Sequence, residues 1–140
     1  MNLLYLEDLK QGMEFRGAYK MALWRIILMA LASGDWNSIH WNPIVARQRL
    51  KVKGIVAHGV LVGYVSQMVG RGFFADGNYL TEIHGRFRGW VGSSEILEIV
   101  LLTLAVNRRG RTRFRLTVQA GERILLDGEI YVWIPSATKK

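Results

Sequence analysis

The amino-acid sequence predicts an α+β fold in which one antiparallel sheet curls around a single apolar helix. Three observations carry this expectation. Helical patterns are confined to residues 22–69. Four strand-like runs follow them without interruption: Tyr79–Arg88, Glu95–Val106, Arg111–Ala120 and Arg123–Ile134. The last three of these runs are joined by short turns, Asn107–Gly110 and Ala120-Gly121-Glu122, which favour antiparallel neighbours. Strands segregated from helices argue for α+β rather than an alternating α/β fold.

Met13–Met21 reads as a first strand, with Phe15 and Tyr19 as aromatic formers. Ala22–Ala32 is a run of good helix formers, closed by Ser33-Gly34. It is apolar almost all round, so burial on most sides is expected. Gly34 suits the left-handed residue that ends a helix. Asp35–Trp41 has no period and reads as a loop. Asn42-Pro43 starts a second helix that runs to about Leu50, with Asn as cap and Pro at the first helical position. Lys51, Lys53 and Gly54 form a basic connector.

The central helix is expected over His58–Val69. Val60, Leu61, Tyr64, Val65 and Met68 fall at helical spacing, and Gly70 and Gly72 supply the stop. In the second half, Arg113–Gln119 alternates cleanly, which predicts one buried and one wet face. Leu97–Val106 is nearly continuous apolar, which predicts burial on both faces.

The 140 residues are half apolar and 21% charged, a balance that suits one folded domain over 1–140 and excludes disorder. There is no cysteine, which excludes thiol catalysis, disulfides and thiolate metal sites. Met1–Lys10 carries Glu7 and Asp8 and lacks the basic and apolar regions of a signal peptide. No run approaches the ~20 apolar residues that cross a bilayer. A soluble, cytoplasmic protein without a membrane partner is expected. Nineteen Lys and Arg against eleven Asp and Glu give a net charge of +8, which points to an anionic partner. Five arginines crowd residues 108–115. They read either as a solvated hairpin edge or as phosphate contacts, since guanidinium forks match phosphate oxygens.

The candidate chemistry lies in the loop. Asp35 and His40 stand five residues apart, outside any apolar period. A carboxylate and an imidazole on one loop can reach a single water, and histidine accepts a proton near neutral pH. The alternative is an aspartate ending a helix and a histidine satisfying a loop carbonyl. A second element is Ala57-His58-Gly59. A helix N-terminus presents unpaired N–H groups and partial positive charge, and glycine lets a ligand approach that backbone. His58 is a candidate substrate contact, against the alternative of a packed, hydrogen-bonded histidine.

Ser33-Gly34-Asp35-Trp36-Asn37-Ser38-Ile39-His40, followed by Ala46 and then by Ala57-His58-Gly59, resembles the MaoC-like dehydratase family, the (R)-specific enoyl-CoA hydratases. The match extends through Arg86-Phe87-Arg88-Gly89-Trp90-Val91 and covers nearly the whole chain, closest to short single-domain members. The resemblance implies a hot-dog fold and reversible hydration of trans-2-enoyl thioesters to (3R)-3-hydroxyacyl thioesters. It implies Asp35 and His40 as the catalytic pair, Asn37 and Ser33 as supporting residues, and the Gly59 amide in an oxyanion hole. It implies no metal and no cofactor. Two departures stand out. Ser38 replaces the family's proline, which loosens the loop, and Trp90 stands where many members carry proline.

An acyl-CoA or acyl carrier protein substrate would give the positive charge an object, with Lys51, Lys53, Arg86 and Arg88 as candidate contacts. A homodimer is expected, with a heterodimer as the alternative. A thioesterase of the same fold is disfavoured because Gly59–Val69 holds no acidic residue. A non-catalytic acyl-, lipid- or nucleic-acid-binding module is the remaining reading. Nucleic acid is disfavoured because alternation buries Phe114, between Arg113 and Arg115.

Overall fold

The computed structural model describes residues 3–138; Met1 and Asn2 of the opening segment, and Lys139 and Lys140, lie outside the described residues. Five antiparallel strands form one sheet: β1 (Glu14–Lys20), β2 (Tyr79–Phe87), β3 (Ile96–Val106), β4 (Arg111–Ala120) and β5 (Arg123–Trp133). Their spatial order is β1-β3-β4-β5-β2. The consecutive strands β3, β4 and β5 meander through the two short turns. The chain's early strand and the strand after the helices take the two edges.

Three helices precede the meander: α1 (Leu23–Ser33), α2 (Pro43–Leu50) and α3 (Gly59–Arg71). α3 lies against the concave face of the sheet. Its Leu61, Val62 and Val65 join Phe15, Leu101, Phe114, Leu116 and Val118 in one core. Phe114 is fully buried and stacks on Phe74 at 5.1 Å between centroids. The architecture is the α+β arrangement expected.

Several expectations are corrected. α1 is not buried on most sides. Only Ile26 and Ala30 are buried, while Leu23, Trp24, Leu28 and Leu31 are each more than half exposed. An apolar helix can face a partner surface as well as its own core, and periodicity alone does not tell which. β3 is buried on one face only. Leu97, Ile99, Leu101 and Thr103 point inward, and the residues between them are partly exposed. β3 is an inner strand of a single antiparallel sheet, and among the described residues no element covers its convex face. On α3 the buried row is Leu61, Val62, Val65 and Ser66, whereas Val60 and Tyr64 are exposed and Met68 is nearly 40% exposed. Gly70 remains helical and the helix ends at Arg71.

The convex face of the sheet carries charge in pairs. Arg16 meets Glu98 at 2.7 Å, Arg113 meets Glu129 at 3.9 Å, and Arg111 contacts Glu82. Of the two readings of the arginine run, this favours the solvated hairpin edge. Arg113 answers Glu129 on the adjacent β5 and Arg111 reaches Glu82 on β2, one strand beyond, and the tip at Asn107–Gly110 lies at the opposite end of the sheet from the head of α3. No described helix is long and apolar enough to cross a membrane.

Candidate active site

The loop after α1 is held from within. Gly34 closes α1 with φ +70°, a conformation that costs glycine little. The Ser33 hydroxyl donates to the Met29 carbonyl at 2.7 Å and accepts the Asp35 N–H at 3.2 Å. Asp35 Oδ1 accepts the Asn37 N–H at 3.2 Å, and Asn37 Oδ1 accepts the Ile39 N–H at 3.4 Å. These Asx-type bonds build the turn through side chains. Residues Ser38–His40 then form one 3-10 turn rather than featureless loop.

The missing proline leaves little mark. Asn37 sits at ψ 128°, within the extended range that a following proline would enforce. The Trp41 indole N–H donates to the Trp36 carbonyl at 2.9 Å and ties the two ends of the loop together.

A small second core seats this loop. Ile39, Ala46, Val52 and Val56 pack together, away from the main core. Burying a side chain such as Ile39 contributes about 1.5–3 kcal/mol. The Val56 N–H donates to the Ile39 carbonyl at 2.9 Å, and the Ala57 N–H donates to the Val91 carbonyl at 2.9 Å. The segment Ile55–Ala57 thus splints the loop to the chain entering β3.

His40 is buried, which its irregular sequence context did not reveal; it is only 5% exposed. Its Nδ1 lies 2.7 Å from the Val56 carbonyl oxygen. A carbonyl only accepts, so Nδ1 carries a proton, and in the neutral ring Nε2 carries the lone pair. That Nε2 faces Asp35 Oδ2 at 3.6 Å. Two acceptors facing each other at this distance are not hydrogen-bonded. A single water about 2.8 Å from each would donate one proton to each.

His58 caps the head of α3 and is 6% exposed. Its ring lies flat on His40, with centroids 3.6 Å apart and planes at 17°. Its Nε2 is 3.5 Å from the Asp35 carbonyl oxygen, at the long edge of hydrogen bonding. Its Nδ1 is buried with no partner. Burial first, and the neighbouring His40 second, hold His58 below the ordinary histidine pKa. Asp35, His40 and His58 bring donor atoms within 4.8 Å of one another. A metal ion sits in the plane of an imidazole that binds it, about 2.0–2.1 Å from the nitrogen. Two stacked, nearly parallel rings cannot both place one ion in plane, so this trio does not fit a metal centre as arranged.

Gly59 opens α3, where the first N–H groups have no intrahelical partner. No backbone carbonyl recorded outside the helix receives its N–H. The Phe87 ring lies over it, 3.3 Å from where a Cβ would be. From there a groove of about 420 Å³ runs between α3 and β2, lined by Val60, Gly63, Tyr64, Gln67, Ile83 and Phe87 among others.

The structure thus brings together Ser33, Asp35, Asn37, His40, His58 and Gly59. It does not bring Arg86 and Arg88 to them. Phe87 points at α3, so strand alternation turns its neighbours to the convex face, where Arg88 lies 3.7 Å from Asp127. Lys51 and Lys53 are exposed on the connector just before Val56. Two contributors were invisible in the sequence. Val56 acts through its carbonyl, which no side-chain pattern reports. Phe87 was placed in the strand, but its role over Gly59 needs the packing of α3.

The profile of the MaoC like domain matches residues 6–124. A 3-hydroxybutyryl-CoA dehydratase of Methylorubrum extorquens is 28% identical over 137 residues, covering 96% of this chain and 87% of that protein. An (R)-specific enoyl-CoA hydratase of Rhodospirillum rubrum is 28% identical over 136 residues, covering 96% and 94%. The unliganded R-hydratase of Pseudomonas aeruginosa superposes with a TM-score of 0.84 at 22% identity, covering 94% of this chain and 86% of that one. That likeness establishes the shared hot-dog fold.

The charge state of His58 has a consequence for stability. Its folded pKa lies below the unfolded value, so its contribution is present above pH 6.5 and is lost as the pH falls below that. Glu7, Glu82 and Glu98 are held below 4.5 by hydrogen bonds and matter only at lower pH. Urea midpoints should therefore fall between pH 7 and pH 5.5 in the unaltered protein, and fall less in His58→Phe. Equal losses in the two proteins would contradict the assignment.

Proposed function

The chain belongs to the MaoC-like domain family, and from that membership we propose that it is a hydro-lyase interconverting trans-2-enoyl and (3R)-3-hydroxyacyl thioesters. The observation that carries this reading is the pair of acceptors, His40 Nε2 and Asp35 Oδ2, facing each other at 3.6 Å. Two acceptors at that spacing call for a molecule with two donors, and water is the reactant a hydration needs.

In the hydration direction, the water's two O–H groups point at His40 and Asp35, leaving its oxygen lone pairs to the substrate. The oxygen adds to the β-carbon while His40 Nε2 takes one proton. The imidazolium so formed is stabilised by the Val56 carbonyl and the Asp35 carboxylate. Electron density moves onto the thioester oxygen, where the Gly59 N–H receives it at the positive end of α3. The proton then passes to the α-carbon, and the net change is addition of H and OH across the double bond. The dehydration is the reverse. Asn37 and Ser33 hold the loop that aims the pair.

The acyl chain is assigned to the groove between α3 and β2, whose walls are mostly apolar. Lys51 and Lys53 are assigned to the phosphates of coenzyme A or to the acidic surface of a carrier protein. The reading takes 1–140 as one domain working in the cytoplasm. It also assigns a second copy of the chain to the open edge at β2, where Ile83 and Phe87 are exposed, because an unpaired apolar edge invites isologous pairing. A thioesterase is disfavoured, since α3 holds no acidic side chain.

Loss of enoyl absorbance on crotonyl-CoA tests the assignment. Asp35→Asn and His40→Ala should each lower kcat by about 10²–10⁴-fold. Near-full activity in either variant removes the catalytic role, and thiol release without hydration would identify a thioesterase instead. Light scattering should give the mass of a dimer; a monomer contradicts the pairing.

A further inference from the structure

His58 has no step in the mechanism above, yet it is buried against the catalytic pair. It is 6% exposed, its ring is stacked on His40, and one of its nitrogens reaches the backbone of Asp35. A buried polar atom without a partner is rare and costly, and His58 Nδ1 is one. A leucine or phenylalanine could fill the same space without that cost. The retained imidazole therefore needs a reason in its other atoms.

We propose that His58 is a positioning residue: its ring face seats the His40 ring, and its Nε2–H grips the Asp35 carbonyl, so that both acceptors stay aimed at one water. The inference rests on the hydratase reading for its kinetic consequence but not for its structural one. His40 Nδ1 is fixed at one edge by Val56. A single edge contact lets an imidazole tilt about that bond. A flat neighbour 3.6 Å away removes the tilt. Asp35 is half exposed and is otherwise bonded only within its own loop. The His58 contact ties it to the residue that caps α3. One imidazole thus couples the two catalytic groups to each other and to the head of the helix that carries Gly59.

The charged groups acting on His58 are His40 and Asp35, both from the loop. The Ile55–Ala57 splint and Val91 bring no ionisable side chain, and α3 brings none before Tyr64. A proton on one stacked ring opposes a proton on the other. His58 stays neutral while His40 gains and loses its proton during turnover, and the stack is preserved.

Two variants separate the parts of the role. His58→Phe keeps a flat face and loses the Nε2–H; His58→Gln keeps an N–H donor and loses the face. Each should lower kcat for crotonyl-CoA by about 10²-fold, the cost of a misplacement near 1 Å, with KM changed less than about threefold. With three histidines in the chain, long-range ¹⁵N–¹H spectra can follow His40 directly. His40 should keep the Nδ1–H held by Val56, while its Nε2 and ring-carbon signals shift and broaden as the ring tilts in both variants. Unchanged kcat with an unchanged His40 pattern would reduce His58 to packing. A rise in KM with kcat preserved would make it a substrate contact; either result overturns the inference. If the unaltered protein hydrates no enoyl thioester, the hydratase reading fails, and the His40 spectra of the variants still decide the positioning role. If neither variant folds, the spectra of the unaltered protein decide it: His58 must be the Nε2–H tautomer, and an Nδ1–H or charged His58 at neutral pH overturns the inference.

Discussion

The hydrogen bond from His40 Nδ1 to the Val56 carbonyl, 2.7 Å long, is the constraint on which the rest of the site depends. It selects the tautomer and leaves the Nε2 lone pair opposite the Asp35 carboxylate. Without it the imidazole could turn a proton toward Asp35 and form a direct bond. That would close the gap where a water can sit. The main-chain bonds of Val56 and Ala57 to Ile39 and Val91 therefore shape the candidate site as much as the fold. They hold a carbonyl still, and the carbonyl holds the ring.

The surroundings amplify this arrangement. Asp35 is the last acidic residue before Asp76. Between them lie Arg47, Arg49, Lys51, Lys53 and Arg71, so the Asp35 carboxylate is the single negative group in a basic segment. Such a segment attracts anions. On the convex side of the sheet the charges are mixed and paired, which suits a solvated face. The division matches the fold: one side of the sheet carries the helix and the site, and the other meets solvent.

Much of this was legible in the sequence, and the reasons are physical. The strand segments, the capped α2 and the start of α3 follow from local rules: alternation, asparagine caps, proline at the first helical turn. Asp35 and His40 stood out through the motif around them together with Ala57-His58-Gly59; as two ionisable residues in an irregular segment they fit an ordinary loop as well. Burial was harder to read. α1 looks like an interior helix, and its composition does not say that Leu23, Trp24 and Leu28 face outward. β3 looks two-sided because its partly exposed row is as apolar as its buried one. Arg86 and Arg88 were assigned to the site on their charge, as partners for an anionic substrate, and alternation about Phe87 turns them away. The role of Val56 was beyond reach because a backbone carbonyl has no sequence signature. The same holds for the His40–His58 stack, which joins residues eighteen positions apart.

The central claim is that Asp35 and His40 act as one unit on one water. Their kinetic coupling tests it most directly, through kcat for crotonyl-CoA hydration in Asp35→Asn, His40→Ala and the double variant. Groups that share one reactant show strongly non-additive losses. The account predicts that the double variant is no slower than the slower single variant, within about threefold. Losses that multiply across the two sites would show two independent roles and contradict it.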